Sequence, residues 1–261
     1  MSKRWIYFKA KVTAIVWLFK KLGFILSCKI FFNILRDNSK EYLIEFSFNN
    51  NKVKMLIKSE RTDLAMLTEV FCFQSYEIRR KINPKLIVDG GANKGSTAVY
   101  FSIKYPEAKI HCYEPNIDLI PVLKKNIELN KIDAEIFNEA LSDKSGMLFF
   151  EKNSNHQYSK LTNNNTEIKV KAISLTEKYI GKTIDILKLD IEGEEEKVIS
   201  SLNFIDPNIN VIIQEIHYDR VNSEKIFSLL KENNYKFENP YSQYYYLNSK
   251  VKYPILLAIH C

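Results

Sequence analysis

The sequence predicts an α/β chain, with a mainly parallel sheet carrying helices on both faces, an antiparallel edge strand near the C-terminus and an N-terminal cap of helices and a β-hairpin. Three observations carry this expectation. From Lys85 onward, short β-branched runs alternate with helix-length amphipathic segments. The first such run, Leu86-Ile87-Val88, ends in Asp89 and opens into a glycine loop, LIVDGGANKGST, which holds three of the seven glycines in the chain. The last two apolar runs lie too close together for a helical crossover, so they should form an antiparallel hairpin.

Composition sets the outer bounds. A chain of 261 residues with 46% hydrophobic content is globular and large enough for one α/β domain plus an appendage. Its formal charge of +7 comes from lysines spread along the chain, compatible with an anionic partner such as a phospholipid surface or an acidic glycan. The four cysteines form no CxxC pair, which points to free thiols in a reducing compartment and to no zinc site.

Taken in order, residues 5–35 are rich in Trp, Ile, Phe and Leu, but lysines interrupt them. The longest uncharged run, 12–19, is far short of the roughly 20 residues that span a bilayer. Helices packed on the domain are the preferred expectation, and an interfacial helix touching an anionic membrane through residues 1–36 is the alternative. Tyr42, Ile44, Phe46 and Phe48 alternate, Asn49-Asn50-Asn51 turns the chain, and 53–57 returns, which describes a hairpin. Thr62 or Asp63 caps a helix expected to run to about residue 81, where Asn83-Pro84 ends it. Residues 1–83 are therefore expected to form the cap and 84–261 the main domain.

Within the main domain the expected strands are 85–89, 109–114, 135–138, 183–190 and 210–216. The intervening helices are 96–104, 116–130, 175–180, 194–202 and 223–233. A hairpin of 147–151 with 167–173 flanks a polar stretch, 152–166, expected to be a surface loop, and strands 244–247 and 253–260 close the chain.

Four constellations carry chemistry. Asp89, Gly91, Asn93 and Gly95 form a loop of the kind shared by flavin, nicotinamide and methyl-donor sites. An acid at that strand end would repel a pyrophosphate and can instead pair with the ammonium of S-adenosyl-L-methionine. Glu114, in HCYEPN at the end of the next strand, can accept two hydrogen bonds from a ribose diol, with Asn116 or Ile117 along the adenine. In KLDIEGEEE, Lys188 and Asp190 share a face, and Asp190 and Glu192 are functional candidates. Glu194, Glu195 and Glu196 suit the first turn of a helix on structural grounds alone. In QEIHYD, His217 is a general base or a hydrogen-bonded crevice histidine. Asp190, Glu215 and His217 could bind a divalent cation, although no metal is expected.

The set VDGGANKGSTAVYF, HCYEPN, NEALSDKSG, ISLTEKYI and ILKLDIEGEEEKVISSL closely resembles the FkbM-type family of S-adenosylmethionine-dependent methyltransferases over about residues 82–217. The resemblance implies a class I (Rossmann-like) methyltransferase fold with a seven-stranded sheet, and O-methylation of a hydroxyl on a sugar, glycolipid or related natural product. By position it implies that Asp89, Gly91 and Asn93 hold the methionine part, Glu114 the ribose, and Asn116 with Ala140 and Leu141 the adenine side. Asp190 or His217 is then the expected base, with Glu192 beside them. An N-methyltransferase, a nicotinamide-dependent oxidoreductase and a non-enzymatic membrane-surface binding protein are the rival readings. No nucleic acid partner is expected, and the expected location is cytoplasmic, peripheral on the inner membrane face where the N-terminus binds lipid.

Overall fold

The structure, a computed structural model, describes residues 3–151, 160–162, 168–204, 208–238 and 255–260. The expected seven-stranded, mainly parallel sheet is present. Its strands are β3 (Leu86–Gly90), β4 (Lys109–Tyr113), β5 (Ala134–Phe137), β10 (Thr183–Leu189), β11 (Asn208–Glu215), β12 (Tyr235–Glu238) and β13 (Ile255–His260). Their order is β12-β13-β11-β10-β3-β4-β5. The chain runs outward from β3 through β4 to β5, then returns to the other side of β3 as β10. The β3/β10 boundary is therefore the switch point, and the crevice above their carboxyl ends is where a ligand fits.

β13 runs antiparallel to both β11 and β12. The C-terminal hairpin thus exists with a different partner from the one expected. β12, at Tyr235–Glu238, follows helix α8 (Ser223–Glu232) after a turn in which Asn234 takes a positive φ of 61°. The expected strand at 244–247 lies outside the described residues.

Each sheet face is covered, which explains why the parallel strands read as apolar runs. On one face pack α4 (Ser96–Lys104) and α5 (Ile120–Leu129), through Val99, Phe101, Leu123 and Ile127. On the other lie α7 (Glu195–Ser201) and α8, through Val198, Ile199, Ile226 and Leu230. A second sheet stands beside the main one, ordered β6 (Glu139–Ser142), β9 (Ile168–Ser174), β7 (Gly146–Glu151), β8 (Lys160–Thr162). The β7–β9 hairpin matches the expected one, and α6 (Leu175–Lys178) follows β9. β8 falls inside the stretch expected to be a loop, the rest of which lies outside the described residues.

The cap holds α1 (Lys3–Leu22) and α2 (Phe24–Leu35), then the β1 (Glu41–Phe48) and β2 (Asn51–Lys58) hairpin. Asn49 and Asn50 take φ of 45° and 63°, left-handed values that asparagine tolerates in a two-residue turn. The helix expected from 62 to 81 is much shorter. α3 (Arg61–Leu67) widens into a π-turn (Thr68–Cys72), and beyond it Gln74 takes φ 49°, ending the helical path. Asp63 does not cap α3. Its carboxylate accepts from Lys58 N at 2.7 Å and binds Lys94 of the glycine loop at 2.5 Å.

Cap and sheet share one core, in which Ile44, Phe46, Val53 and Phe71 run into Val99, Tyr100 and Leu123. Asn126 of α5, wholly buried, fastens the two. Its amide oxygen accepts from Leu56 N at 2.7 Å, and its amide nitrogen donates to Leu56 O and Lys94 O at 3.2 and 2.8 Å. Replacing Asn126 with Ala leaves these backbone groups without partners, so a loss of about 3 kcal/mol in stability is expected. Urea unfolding measures it, and an unchanged midpoint would show that the cap is held by apolar contacts alone.

Candidate functional site

The site is built from the carboxyl ends of β3, β4, β10 and β11. The glycine loop leaves β3 and turns back sharply, with Gly91 N and Ala92 N both donating to Tyr113 O at the end of β4, at 2.9 and 3.0 Å. Gly91 has φ +74°, and a Cβ there would stand 1.9 Å from Asp190 O, so no other residue fits. Gly95 (φ +87°) is the left-handed residue that starts α4. Gly90, small where the resembled family often carries another residue, lies against Leu141, whose Cδ1 would meet a Cβ at 2.6 Å.

Beneath the loop lies an ion pair that the sequence did not suggest. The fully buried Lys188 ammonium sits 3.1 Å from Asp89 Oδ1 and 3.8 Å from Asp190 Oδ2. It donates to Gly90 O and Gly91 O at 3.1 and 2.8 Å. Burial alone would lower its pKa, and the attraction of Asp89, then Asp190, outweighs burial and holds it above the ordinary lysine value. The other Asp89 oxygen accepts from Thr97 Oγ1 at 2.5 Å. Asp89 Oδ2 thus binds α4, while Oδ1 pairs with the Lys188 charge and is buried without a hydrogen-bond partner among the described residues. Within the protein its carboxylate pairs with Lys188 and tethers the start of α4. A lysine within the apolar run ILKLD was the available signal.

Glu114 follows β4 directly, beside the glycine loop. It is buried, its oxygens accept from Asn93 N and Asn116 N at 2.8 Å each, and burial pushes its pKa up to about 7 against the pull of those two donors. Carboxylate oxygens carry further lone pairs, so a diol can add to these bonds. Beside it, Pro115, Asn116, Ile117 and Asn138 line an open pocket, with half-exposed Ile117 ready to cover a flat ring. Ala140 and Leu141 lie nearby on β6, both buried. This donor and acceptor set, with an apolar lid and a glycine turn closed to any Cβ, fits the nucleoside part of S-adenosylmethionine.

The second half of the site is acidic. Asp190, Glu192 and His217 each offer a ligand atom within 4.8 Å of the others, in place of the expected trio with Glu215. Arg220 already binds Glu192, at 2.6 Å. Glu192 takes φ 56°, and Gly193 (φ 109°) leaves room for the Arg220 side chain, which a Cβ would crowd at 3.1 Å. Burial raises Glu192 to about 7, opposed by His217 and Arg220. Burial, then Asp190 and Glu69, lifts Glu215 well above the carboxylate range. Glu69 comes from the π-turn of the cap, and Tyr76, which follows that turn, has its ring 5.9 Å from the Lys188 ammonium.

His217 is oriented by Glu195. Its Nδ1 lies 2.9 Å from Glu195 Oε1 and its Nε2 3.4 Å from Glu192 Oε2. Glu195 is fully buried and also accepts from Ile191 N and Gly193 N at 3.1 and 2.9 Å, so it shapes the turn as well as the histidine. Position in a first helical turn had explained Glu195 without this role. The acid after the IEG turn was the signal for it. Burial alone would lower His217, but the hydrogen bond and charge of Glu195 raise it to about 9. A value of about 9 favours the imidazolium at neutral pH, a form that has no lone pair to take a proton.

A histidine whose pKa rises from 6.5 to about 9 on folding adds stability that is fully present below 6.5 and disappears as pH climbs through 9. The stability advantage of the native chain over His217→Gln should therefore shrink as pH rises across that window. Urea unfolding of both proteins at several pH values measures it, and a gap that stays constant would show that the ring is neutral.

The comparisons with known proteins agree with this geometry. The FkbM methyltransferase domain matches residues 89–237. Methyltransferase 1 of Beauveria bassiana is 25% identical over 163 residues, covering 52% of this chain and 65% of that relative. Methyltransferase sdnD of Sordaria araneosa is 40% identical over 62 residues, 24% of each chain. Among solved structures, the methyltransferase FkbM of Methylobacillus flagellatus superposes with a TM-score of 0.49 at 12% identity, covering 74% of this chain and 47% of that one. The chain thus spans less than two thirds of the length of these relatives. Because the matched span, 89–237, takes in more than half of the 261 residues, the chain belongs to the FkbM methyltransferase family, and S-adenosyl-L-methionine is its cofactor.

Proposed function

We propose that this protein is an O-methyltransferase acting on a hydroxyl of a sugar, glycan, glycolipid or related natural product. The observation that supports it best is the carboxylate-rich crevice (Asp190, Glu192, Glu215) directly beyond the glycine loop. A hydroxyl is a poor nucleophile at neutral pH and needs an acceptor for its proton, and clustered carboxylates can both orient a polyol by hydrogen bonding and take that proton. S-adenosylmethionine supplies, when bound, a methyl group activated on a sulfonium sulfur.

In this reading the chain contributes alignment and proton handling. Gly91 and Asn93 line the side of the methionine part, Glu114 accepts from the ribose hydroxyls, and Asn116, Ala140 and Leu141 bound the adenine side. Asp190 follows directly on β10, next to the Lys188 ammonium that fixes its place, and is the base. His217, held as the imidazolium by Glu195, orients Glu192 and leaves the acceptor hydroxyl to Asp190. The hydroxyl oxygen would gain the methyl as the sulfonium C–S bond breaks, with S-adenosylhomocysteine as the leaving group, while Asp190 takes the hydroxyl proton and exclusion of water keeps the methyl from hydrolysis.

Two measurements test this. Glu114→Gln should weaken S-adenosylhomocysteine binding about tenfold in titration calorimetry, as should acidifying the native protein well below the Glu114 value of about 7, where an acceptor oxygen becomes protonated. Unchanged affinity in both would remove Glu114 from the nucleoside site. Screening lipid-linked and nucleotide-linked sugars with labelled S-adenosylmethionine should give a methyl ether, and Asp190→Asn should lower its rate of formation about 100-fold or more. A rate that climbs steadily toward pH 9, as the His217 imidazolium loses its proton, would instead assign the base to His217.

A further inference from the structure

The positive charge of the chain is not spread as its lysine count suggests. Residues 1–36 contain eight Lys and Arg and no Asp or Glu, which leaves 30 basic and 31 acidic residues in the remainder. The whole excess of +7 therefore sits in α1, α2 and their immediate flanks.

The same two helices carry apolar surface left exposed among the described residues. At 100° per residue, the exposed Phe8, Val12, Ile15 and Val16 fall within an arc of about 100° on α1, with Lys9 and Lys20 along one flank and Lys11 along the other. On α2, Phe24, Ile25, Phe32 and Leu35 occupy a similar arc, with Lys29 and Arg36 at its edge. These side chains are open to solvent, Phe24 at 72%, Ile25 at 71% and Leu35 at 79%. Phe19, in line with the α1 stripe, touches Phe24 and Phe31 with ring centroids 5.6 and 5.9 Å apart, so the stripes meet beside the Gly23 turn. The opposite faces are spoken for. Leu18 and Ile30 enter the core, and Trp17 packs edge-on to Phe46 of β1.

We infer that the α1–α2 hairpin is an interfacial docking surface for an anionic phospholipid membrane. An apolar stripe flanked by lysines whose stems can lie along it while their ammonium groups reach the headgroups is the form an interfacial helix takes. Neither helix is long and apolar enough among the described residues to cross the bilayer, so the hairpin lies on it. A second copy of this chain is a poor occupant, because a self-complementary contact would set eight like charges against eight with no acid to offset them. The inference is independent of the proposed acceptor, since it rests on no residue of the crevice. α1 does pack on β1 and on the π-turn whose Glu69 adjoins the crevice, so a docked hairpin would set that wall of the crevice beside the lipid surface.

The test is flotation of the full-length protein with phosphatidylcholine vesicles, with and without phosphatidylglycerol. The native protein should float with the phosphatidylglycerol vesicles, stay behind with phosphatidylcholine alone, and be released by salt. Phe24→Ser/Ile25→Ser/Leu35→Ser and, separately, Lys20→Glu/Lys29→Glu/Arg36→Glu should each reduce binding about tenfold or more. These residues are exposed, so binding of S-adenosylhomocysteine should persist in both variants and report an intact fold. Failure of the native protein to float, or flotation of the serine variant equal to it, would overturn the inference. So would a native dimer in sedimentation equilibrium that the serine variant loses, which would give the face to a second copy.

Discussion

The buried pair of Lys188 and Asp89 is the constraint on which the rest of the site depends. The two residues stand opposite each other on adjacent parallel strands, at the switch point of the sheet. Lys188 turns the carbonyls of Gly90 and Gly91 toward itself, and Asp89 holds Thr97 in the first turn of α4. The loop is thereby clamped from beneath at both ends. A buried ion pair contributes little net stability, because desolvating two charges offsets most of their attraction, whereas removing one partner strands the other. Its value here is geometric. With the loop carbonyls committed downward, Gly91 N and Ala92 N go to Tyr113 O, and Asn93 N goes to Glu114. Glu114 is thus placed by the same turn that Lys188 holds.

Above this clamp the crevice is dominated by carboxylates, and their mutual repulsion explains how each is tuned. Glu215 faces Asp190, Glu69, Glu192 and Glu195 and is driven toward its neutral form. Glu192 would follow, but Arg220 and His217 moderate it. His217 responds in the opposite sense, because the acids that raise the carboxylates also favour the imidazolium. One electrostatic environment therefore yields a protonated histidine, raised glutamates and an aspartate supported by Lys188.

The sheet was legible because its strands are buried on both faces and read as uninterrupted apolar runs, such as Leu86-Ile87-Val88 and Val211-Ile212-Ile213. The glycine turn was legible because a backbone closed to any Cβ leaves its mark at a single position. What escaped were features set by neighbours distant in sequence. Lys188 meets Asp89 across about a hundred residues, and Glu195 meets His217 across two elements. The helix expected through residue 81 failed for a local reason that its apolar spacing conceals: Phe71 and Tyr76 turn into the core through the π-turn and the bend at Gln74, not along one helical face. The charge was misjudged because the lysines are indeed spread, and the asymmetry lies in where the acids are missing.

The same distinction separates donor from acceptor. The donor half of the site uses backbone N–H and C=O groups and single acids at strand ends, positions that the alternation of strands and helices fixes before any packing detail is known. The acceptor half is walled by side chains from three separate stretches: β10 and its turn, the residues after β11, and Glu69 and Tyr76 of the cap. The cap lies before residue 89, where the family match begins. It reaches the crevice through the core it shares with α4 and α5, and through Lys94, which Asp63 grips at 2.5 Å. A change in the cap can therefore reach the crevice wall through Glu69, the glycine loop through Lys94 and the Lys188 clamp through Tyr76. The cap is thus tied to both halves of the crevice, and a substitution in it is felt at the glycine loop as well as at the carboxylate wall.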